Sequence, residues 1–481
     1  MTRRSVARRP VVHTVRDLAA NAPLARALPA LLRHGATFSG VIAAGARRHG
    51  DKVAIIDRWG QLDYRTLDVL VASAAGQFAR GERVGVMCRD GRWLLAAAAG
   101  AIRAGADAVL IGHGTGEVEL AGVVERLGIG RVVTDGDEGL RVGGLDGARP
   151  ATRGGLDGAR PTTRGRLDGA RPAGVGTGRL VLLTSGTTGK PVAPERAPLN
   201  PLTVASLLAA TGIRPGEPVL VLPPLHHGHG FSLATACLIV GAPVMVGAGL
   251  PLDEVMPLAA RATVISGVPT QLDRLARHPD AASLHPRRVV SGSGRLSPSL
   301  AQRLRDQYGP VVVDLFGTTG TGTVTLATAE DLSAAPWTVG RPAAGVRIRV
   351  LDSAGRACPR GAVGAVHAGS RATGDLGWMD EHDRLFLAGR SDGLVVSGGE
   401  NVSATEVEDY LAEQPEVTDV HVRAVADEEF GTRLVARVVT SADAAELTAR
   451  VTRALGRHKT PRLQVVDRIE RTPTGKVRLV E

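Results

Sequence analysis

Cysteine and aromatic residues are scarce in this sequence. The three cysteines, Cys88, Cys237 and Cys358, lie far apart, with no CxxC or His-rich spacing around them. This pattern argues against a disulfide framework or a structural zinc site and fits a reducing cytosol. Aromatic residues make up only 3% of the chain and the arginines are scattered, so the net charge of +10 favours a solvated basic surface over a nucleic-acid groove.

The chain also lacks the pattern of a secretory signal. Its start, MTRRSVARRP, contains arginines, but no apolar stretch follows them. One uncharged run, from Phe231 to Leu252, is long enough to span a bilayer, but Gly241-Ala242-Pro243 interrupts it. A buried helix, a turn and a buried strand explain this run better than a membrane span does. We therefore expect a cytoplasmic protein without a membrane span.

Strand-like and helix-like segments alternate along most of the chain. RVGVMC, DAVLIG and RVVTD are typical of buried strands, and WLLAAAAGAIRAG between the first two is typical of a helix. This alternation predicts an α/β fold with mixed or mostly parallel sheets and flanking helices over residues 1–390. After Arg390 the pattern changes to short strands and two helices. We expect a small, mobile α+β domain at 391–481.

A repeat interrupts the first of these domains. LDGARP occurs three times, starting at Leu145, Leu156 and Leu167, with Gly, Pro, Thr and Arg between the copies. Because these repeats have no apolar face to bury, we expect a flexible surface insertion at 145–173 and not a solenoid. A role as a basic docking arm is left open.

The segment TSGTTGKPVAP, from Thr184 to Pro194, carries the first sign of chemistry. It does not have P-loop spacing, because only two residues separate Gly186 from Gly189 and a proline follows Lys190. Glycines allow a sharp turn with inward-facing N–H groups, and hydroxyls donate to phosphate oxygens without adding charge. The pattern indicates a phosphate-binding turn, although any Gly/Thr-rich turn would look alike in isolation.

This segment resembles the signature loop of the adenylate-forming enzymes, which include acyl-CoA synthetases, peptide-synthetase adenylation domains and luciferases. Further segments resemble motifs of that family in the same order. They are PPLHHGHG (223–230), SGSGRLSP (291–298), DLFGTTG (314–320), TGDLGWMDEHDRLFLAGRSD (373–392), SGGENVSATEVE (397–408) and RTPTGK (471–476). The resemblance runs from about Phe38 to the C-terminus and looks closest to fatty acyl-CoA synthetases.

The resemblance implies a reaction in two steps, with ATP and CoA as co-substrates. A carboxylate first attacks the α-phosphate of ATP and forms acyl-AMP, and the thiol of CoA then displaces AMP. The C-terminal domain of the family rotates between the steps about a hinge, here Asp392. The first step gathers negative charge on phosphate oxygens and needs cations and oriented donors there.

Specific residues take on roles through this resemblance. Asp314 would accept from the adenine amino group, Phe316 would stack on adenine, and Asp375 with Arg390 would hold the ribose hydroxyls. Lys476 would be the mobile cation, and His227 would lie between the nucleotide and an acyl pocket lined by His226 and Val268. The turns around adenine would contribute Ser293, Gly294, Arg295, Gly317 and Thr318. The hydrogen-bond donors to phosphate would be Thr184, Ser185, Thr187, Thr188 and Thr319. The residues beside CoA would include Ser397, Gly398 and Gly399.

The sequence departs from the family pattern at three places. Pro191-Val192-Ala193 replaces the usual Pro-Lys-Gly, which removes a cation near the β- and γ-phosphates. Gly320 stands where the family has a glutamate that helps to hold magnesium. The run from His367 to Gly374 is shorter than in the family. We therefore predict no protein metal site, and the use of Mg²⁺ is left open.

These departures favour an acid–thiol ligase with impaired adenylation that retains thioester formation from acyl-AMP and CoA. An ordinary two-step ATP-dependent acyl-CoA synthetase is the first alternative, and an inactive AMP- or acyl-AMP-binding regulatory protein is the second. The favoured hypothesis calls for either a partner ligase or a diffusing acyl-adenylate as the source of the substrate. The composition, rich in Ala, Arg and Gly, fits an actinobacterial pathway such as antibiotic biosynthesis. The identity of the acid and the oligomeric state are left open.

Overall fold

The structure is a computed structural model. It describes residues 37–136, 139–146, 149–155, 178–185, 191–192, 201–390, 394–397, 400–427, 431–456, 459–471 and 477. The chain forms two compact units. The first unit comprises residues 1–196 and 211–266, and the second comprises residues 197–210 and 267–481. This division does not coincide with the domain boundary that the sequence predicts at residue 390. That boundary and the mobility of 391–481 stay predictions.

Helices and strands alternate over much of the chain as far as residue 318, apart from six successive strands between residues 131 and 192, and antiparallel strands dominate after residue 318. The helices are α1 (Phe38–His49), α2 (Tyr64–Ala75), α3 (Arg92–Ala104), α4 (Glu117–Leu127), α5 (Pro201–Thr211), α6 (Gly228–Val240), α7 (Leu252–Ala259), α8 (Pro269–Ala276), α9 (Pro298–Tyr308), α10 (Ala329–Ala334), α11 (Ala404–Ala412) and α12 (Ala444–Leu455). The strands are β1 (Val53–Asp57), β2 (Gly60–Asp63), β3 (Arg83–Val86), β4 (Asp107–Leu110), β5 (Arg131–Gly136), β6 (Gly139–Asp146), β7 (Arg149–Gly155), β8 (Leu180–Leu182), β9 (Thr184–Ser185), β10 (Pro191–Val192), β11 (Val219–Val221), β12 (Val244–Val246), β13 (Val264–Gly267), β14 (Arg288–Gly292), β15 (Val312–Thr318), β16 (Gly322–Ala327), β17 (Thr338–Pro342), β18 (Ile348–Leu351), β19 (Gly364–Ala368), β20 (Arg371–Met379), β21 (Leu385–Arg390), β22 (Leu394–Ser397), β23 (Glu400–Ser403), β24 (Val417–Asp427), β25 (Gly431–Thr440) and β26 (Arg462–Val465).

Local sequence signals set where the early helices begin and how closely they pack. The Thr37 hydroxyl accepts the amide N–H of Gly40 at 3.1 Å at the start of α1. Asp63 accepts the amide N–H of Thr66 at 2.7 Å at the start of α2. Both are N-caps that satisfy amides with no partner inside the helix. A Cβ on Gly100 of α3 would lie 2.7 Å from the Cβ of Ala74, so this glycine lets α3 pack directly on α2.

The first unit contains a sheet with the strand order β7-β6-β5-β3-β4-β8. Its strands β3, β4, β5 and β8 pair in parallel, whereas β6 and β7 are antiparallel additions at one edge. The strand β11 pairs in parallel with both β12 and β13, and β12 pairs in parallel with β1. Residues 94–102 of α3 are all buried, which fits a helix that covers a parallel sheet. The predicted βαβ pattern is confirmed.

The first LDGARP copy lies partly in the β6–β7 hairpin, where Leu145 pairs with Pro150. The sequence predicts a loop here. The difference arises because an edge strand needs only backbone hydrogen bonds from β5, and not an apolar face of its own. The second and third copies, at 156–161 and 167–172, lie outside the described residues.

The run from Phe231 to Leu252 forms most of α6, a turn and β12, all with buried side chains at most positions. The predicted helix, turn and strand are therefore confirmed. Within the described ranges, no helix is long and apolar enough to cross a membrane.

The second unit combines two kinds of sheet. The strands from β14 to β21 follow the order β18-β19-β20-β21-β17-β16-β15-β14. The strands β14 and β15 pair in parallel, and all other neighbours in this order pair antiparallel. Near the C-terminus, β24, β25 and β26 form a three-stranded sheet. The helices α11 and α12 contribute Val407, Leu411, Leu447 and Val451 to the core that covers it. The predicted α/β class, with smaller α+β elements after residue 390, is confirmed.

Candidate functional site

Asp314 and Ser291 form the most distinctive polar pair of the second unit. They face each other in register on the parallel strands β14 and β15. Asp314 is 3% exposed and Ser291 is fully buried. Among the described residues, neither the Oδ1 atom of Asp314 nor the Oγ atom of Ser291 has a hydrogen-bond partner of ordinary geometry, although the Ser291 hydroxyl lies close enough to the Asp314 carboxyl to lower its pKa against the effect of burial. Because buried polar atoms are normally paired, these two atoms fit a ligand that offers hydrogen-bonding groups, such as the amino group of adenine.

The charge state of Asp314 follows from its surroundings. Burial raises the pKa of its carboxyl from the usual value to about 6, because the charged form loses hydration there. The group is therefore largely ionised at neutral pH and can accept a hydrogen bond from a bound amino group.

Asp375 and Arg390, the two predicted ribose ligands, lie together. They are register partners on β20 and β21, and Arg390 Nη1 lies 3.6 Å from Asp375 Oδ1. The Asp375 carboxylate side chain is 11% exposed, whereas half of the Arg390 side chain is accessible. The amide N–H of Asp375 donates to the Thr373 hydroxyl at 3.1 Å. A mostly buried acceptor beside an accessible guanidinium is suited to bind adjacent hydroxyls.

The turn between β15 and β16 is closed by threonine hydroxyls. The Thr318 and Thr321 hydroxyl oxygens lie 2.8 Å apart, and each accepts the other residue's amide N–H, at 3.1 and 3.2 Å. A Cβ on Gly317 would lie 2.1 Å from the Gly322 carbonyl oxygen, so only glycine fits there. Thr319 and Gly320 lie between these residues and are half-buried. The turn thus offers hydroxyls and amides, and no carboxylate.

The predicted aromatic platform contacts apolar side chains. Phe316 is half-buried and packs against the cluster of Val339, Val366 and Leu385. Val268 is almost completely buried at the start of α8, where the Gln271 side chain accepts its amide N–H at 3.0 Å. Roles of these two residues toward adenine and an acyl group stay predictions.

The turn after β14 has a constrained backbone. Ser293 has a φ of 61°, in the left-handed region that non-glycine residues rarely adopt. A Cβ on Gly294 would approach the Pro269 Cδ atom to 3.0 Å. The next residue, Arg295, points toward α11, where its guanidinium lies 2.7 Å from the Asp409 carboxylate.

Three histidines of the first unit, His226, His227 and His229, lie at the start of α6. The His226 and His227 rings lie 4.3 Å apart. The amide N–H of His227 donates to the Pro224 carbonyl at 3.1 Å, and the His227 carbonyl accepts from Phe231 at 2.9 Å. His229 Nε2 lies 2.9 Å from the Ser266 hydroxyl.

Asp90 holds this histidine segment in place and is not among the residues that the sequence predicts. One of its carboxylate oxygens accepts the amide N–H of Leu225 at 2.6 Å and lies 3.7 Å from His226 Nδ1. The available signal was position: Asp90 follows the parallel strand β3, and polar groups beyond the carboxyl ends of parallel strands commonly face ligand crevices.

The remaining predicted residues are described only in part. Thr184 and Ser185 form β9, which pairs antiparallel with Pro191 and Val192 of β10. Ser397 ends β22 and pairs with Glu400. Six predicted residues lie outside the described ranges: Thr187, Thr188, Asp392, Gly398, Gly399 and Lys476.

The chain belongs to the AMP-binding enzyme family. The model of the AMP-binding enzyme family matches residues 42–374, and the model of the AMP-binding enzyme C-terminal domain matches residues 406–476. The resemblance to the adenylate-forming enzymes is therefore confirmed.

Curated relatives are CoA ligases by name. The sulfoacetate–CoA ligase of Cupriavidus necator is 29% identical over 332 residues, which cover 62% of this chain and 65% of that protein. The medium-chain fatty-acid–CoA ligase of Escherichia coli is 30% identical over 341 residues, which cover 62% of this chain and 59% of that protein. The matched part therefore spans slightly less than two thirds of these relatives.

Solved structures show the same fold. ATP-bound MatB from Rhodopseudomonas palustris superposes with a TM-score of 0.72 at 24% sequence identity, covering 91% of this chain and 97% of that chain. At this identity the likeness concerns the fold alone.

Proposed function

We propose that this protein is an acyl-CoA ligase that binds the AMP part of an acyl-adenylate and transfers the acyl group to CoA. The observation that carries the proposal is the buried pair of Asp314 and Ser291, in which Asp314 Oδ1 and Ser291 Oγ lack hydrogen-bond partners of ordinary geometry among the described residues. In a member of the AMP-binding family, such a pair suits the amino edge of adenine. The pair of predicted ribose ligands, Asp375 and Arg390, lies on two other strands of the same sheet and supports the same ligand.

The transfer step needs little from the pyrophosphate side of the site. The thiol sulfur of CoA attacks the acyl carbonyl carbon, the bond between that carbon and the phosphate oxygen breaks, and AMP leaves. The thiol proton passes to solvent. AMP carries less charge than pyrophosphate, so this step depends on holding the nucleotide and admitting the thiol.

We propose further that the protein performs the preceding adenylation poorly. That step expels pyrophosphate and needs positive charge beside it. Val192 stands where the family has a lysine, and Gly320 where it has a magnesium-binding glutamate. The hydroxyl-closed turn at 318–321 offers no replacement carboxylate. A lost donor to developing charge typically costs roughly 10²–10³ in rate, so two losses would leave little adenylation. A separate adenylating ligase would then supply the acyl-adenylate.

The test supplies the two half-reactions separately. One reaction contains synthetic acyl-AMP and CoA, and the other contains the free acid, ATP, Mg²⁺ and CoA, each with a panel of acids. We expect acyl-CoA by mass spectrometry in the first reaction and little in the second. Comparable amounts in both would establish an ordinary two-step synthetase. No product in either, together with measurable AMP binding, would favour a regulatory nucleotide-binding protein.

A restoring variant sharpens this experiment. Gly320 does not have a positive φ, so a side chain can be introduced there without backbone strain. The double variant Val192→Lys with Gly320→Glu should increase adenylation, measured as pyrophosphate release, by at least about tenfold while thioester formation stays unchanged. Ser299→Glu, which adds a carboxylate to the exposed first turn of α9, is the matched control. Equal rates of pyrophosphate release in the double variant and in this control would show that Val192 and Gly320 are not the cause of poor adenylation.

A further inference from the structure

Arg295 lies at the centre of a cluster that joins several elements of the second unit. Its guanidinium lies 2.7 Å from the Asp409 carboxylate of α11, and the two side chains are 28% and 19% exposed. It also donates to the Leu387 carbonyl of β21 at 3.2 Å. A short, largely buried ion pair with an additional backbone contact is well ordered, unlike an exposed ion pair.

Trp337 completes the cluster. The Arg295 guanidinium lies 4.6 Å from the centre of the Trp337 ring, within the distance of a cation–π contact. The indole N–H of Trp337 donates to Glu413, the residue after α11, at 2.8 Å. Trp337 has a φ of 70°, so its backbone is held in a rarely occupied conformation. Two separate contacts, from Arg295 and from Trp337, therefore reach the same end of α11.

The charges explain why α11 needs this arrangement. Glu406, Glu408 and Glu413 all act on Asp409 with the same sign of charge. Burial raises the pKa of Asp409 to about 7, and these neighbours add to that effect while Arg295 opposes it. Without the guanidinium, the ionised Asp409 would be a largely buried charge among other carboxylates, which is costly.

We propose that Arg295 is a positioning residue that clamps α11 to the nucleotide turn at 293–295 instead of contacting the nucleotide directly. The clamp consists of Arg295, Trp337, Asp409 and Glu413. Its geometry assigns the guanidinium to α11, because the Asp409 carboxylate, the Trp337 ring face and the Leu387 carbonyl all contact it. The Nε atom of Arg295 is buried without a hydrogen-bond partner among the described residues. Any movement of α11 away from the turn at 293–295 has to separate these groups.

Hydrogen exchange of the ligand-free, full-length protein tests the clamp without reference to any activity. At pH 8, where Asp409 is ionised, Arg295→Met and Asp409→Asn should each make the α11 amides exchange about tenfold faster than in the wild type. The double variant should add little to either single variant, because both remove the same contact. Arg295→Lys should rescue exchange only in part, since lysine keeps the charge but lacks the planar fork.

A matched control and a milder variant distinguish loss of the clamp from a general loss of structure. Arg303 lies on the helix that follows the same turn and pairs with Asp273 of α8, away from α11. Arg303→Met should leave exchange in α11 unchanged. Trp337→Phe removes the indole N–H to Glu413 but keeps an aromatic ring beside Arg295, so it should give a smaller increase than Arg295→Met. Unchanged exchange in both Arg295→Met and Trp337→Phe would overturn the clamp.

Calorimetry with AMP separates positioning from direct binding. If Arg295 acts through α11, Arg295→Met and Asp409→Asn should change the AMP dissociation constant equally, and the double variant should match them. If only Arg295→Met weakens binding, Arg295 is a nucleotide ligand and the clamp assignment is wrong. A wild-type protein that binds no AMP would refute the proposed function, while the exchange experiment would still decide the clamp.

Discussion

At the scale of single residues, two carboxylates show how the same chemical group serves different purposes. Asp375 lies 3.6 Å from an accessible arginine, an arrangement in which its oxygens can accept from hydroxyls. Asp314 is buried without a cation beside it in the described structure, and burial raises its pKa to about 6. An amino group that enters this position would gain a strong acceptor only when Asp314 has lost its proton.

The raised pKa of Asp314 therefore predicts that AMP binding depends on pH. As pH falls through about 6, the carboxyl takes up a proton and the charge-assisted hydrogen bond is lost, so affinity should fall roughly tenfold. The folded-state stability has the opposite dependence: the raised pKa favours folding at low pH, and that contribution is lost as pH rises through the same value.

Calorimetry of AMP binding between pH 5 and 8 provides the measurement. Asp314→Asn is the control, because the titration of the AMP phosphate is common to both proteins. We expect the ratio of the two affinities to change with pH. A constant ratio would show that Asp314 is not the acceptor.

At the scale of elements, the histidine segment before α6 and the turn after β14 are each held by a residue that is distant in sequence. Asp90 accepts the Leu225 amide, and Arg295 pairs with Asp409 of α11. The β6–β7 hairpin is different, because its described pairing is with β5 at one sheet edge. The first two segments are each fixed by a contact from a distant part of their own unit, whereas the hairpin is described through its backbone pairing at a sheet edge.

Deletion of residues 145–173 should therefore leave a folded, soluble protein. β6 keeps its pairing with β5 between Leu140 and Gly144, so the sheet loses β7 and the last two residues of β6. We expect the melting temperature to fall by less than about 4 °C, which corresponds to roughly 1 kcal/mol or less. Circular dichroism with thermal melting checks this result. Insoluble protein, or a much larger fall, would mean that the repeats contribute to the core.

At the scale of the whole molecule, the balance of charge changes stability with pH. The chain has a net charge of +10, yet Asp409 of α11 has three glutamates, Glu406, Glu408 and Glu413, close enough to affect its pKa. The pKa of Asp409 is raised to about 7, first by burial and then by Glu408, Glu413 and Glu406, against the lowering effect of Arg295. The folded protein consequently binds a proton at Asp409 more tightly than the unfolded chain does.

Asp409→Asn should reveal this proton in thermal unfolding. The unfolding free energy of the wild type loses the Asp409 contribution as pH rises from about 4 to about 7, whereas the variant has no such loss. The melting temperature of the variant relative to the wild type should therefore increase between pH 5 and 7 and level off above 7. A pH-independent difference would show that Asp409 has an ordinary pKa.

The sequence alone determined the order of elements and the family. Alternating apolar runs predicted β3, α3, β4 and β5, because the periodicity of a buried strand or helix is a local property of the chain. Motifs near Asp314 and Asp375 indicated nucleotide binding for the same reason: their residue types stand close together in sequence.

Only the tertiary structure decided which distant groups meet. Asp409 is one of several acidic residues in a helical segment, and nothing near it in sequence indicates a contact with Arg295. The pair forms because α11 packs beside β21 and the turn after β14. Asp90 meets the histidine segment in the same way. Burial likewise raises the pKa values of Asp314 and Asp409, because desolvation depends on the atoms that surround a group in space and not on its neighbours along the chain.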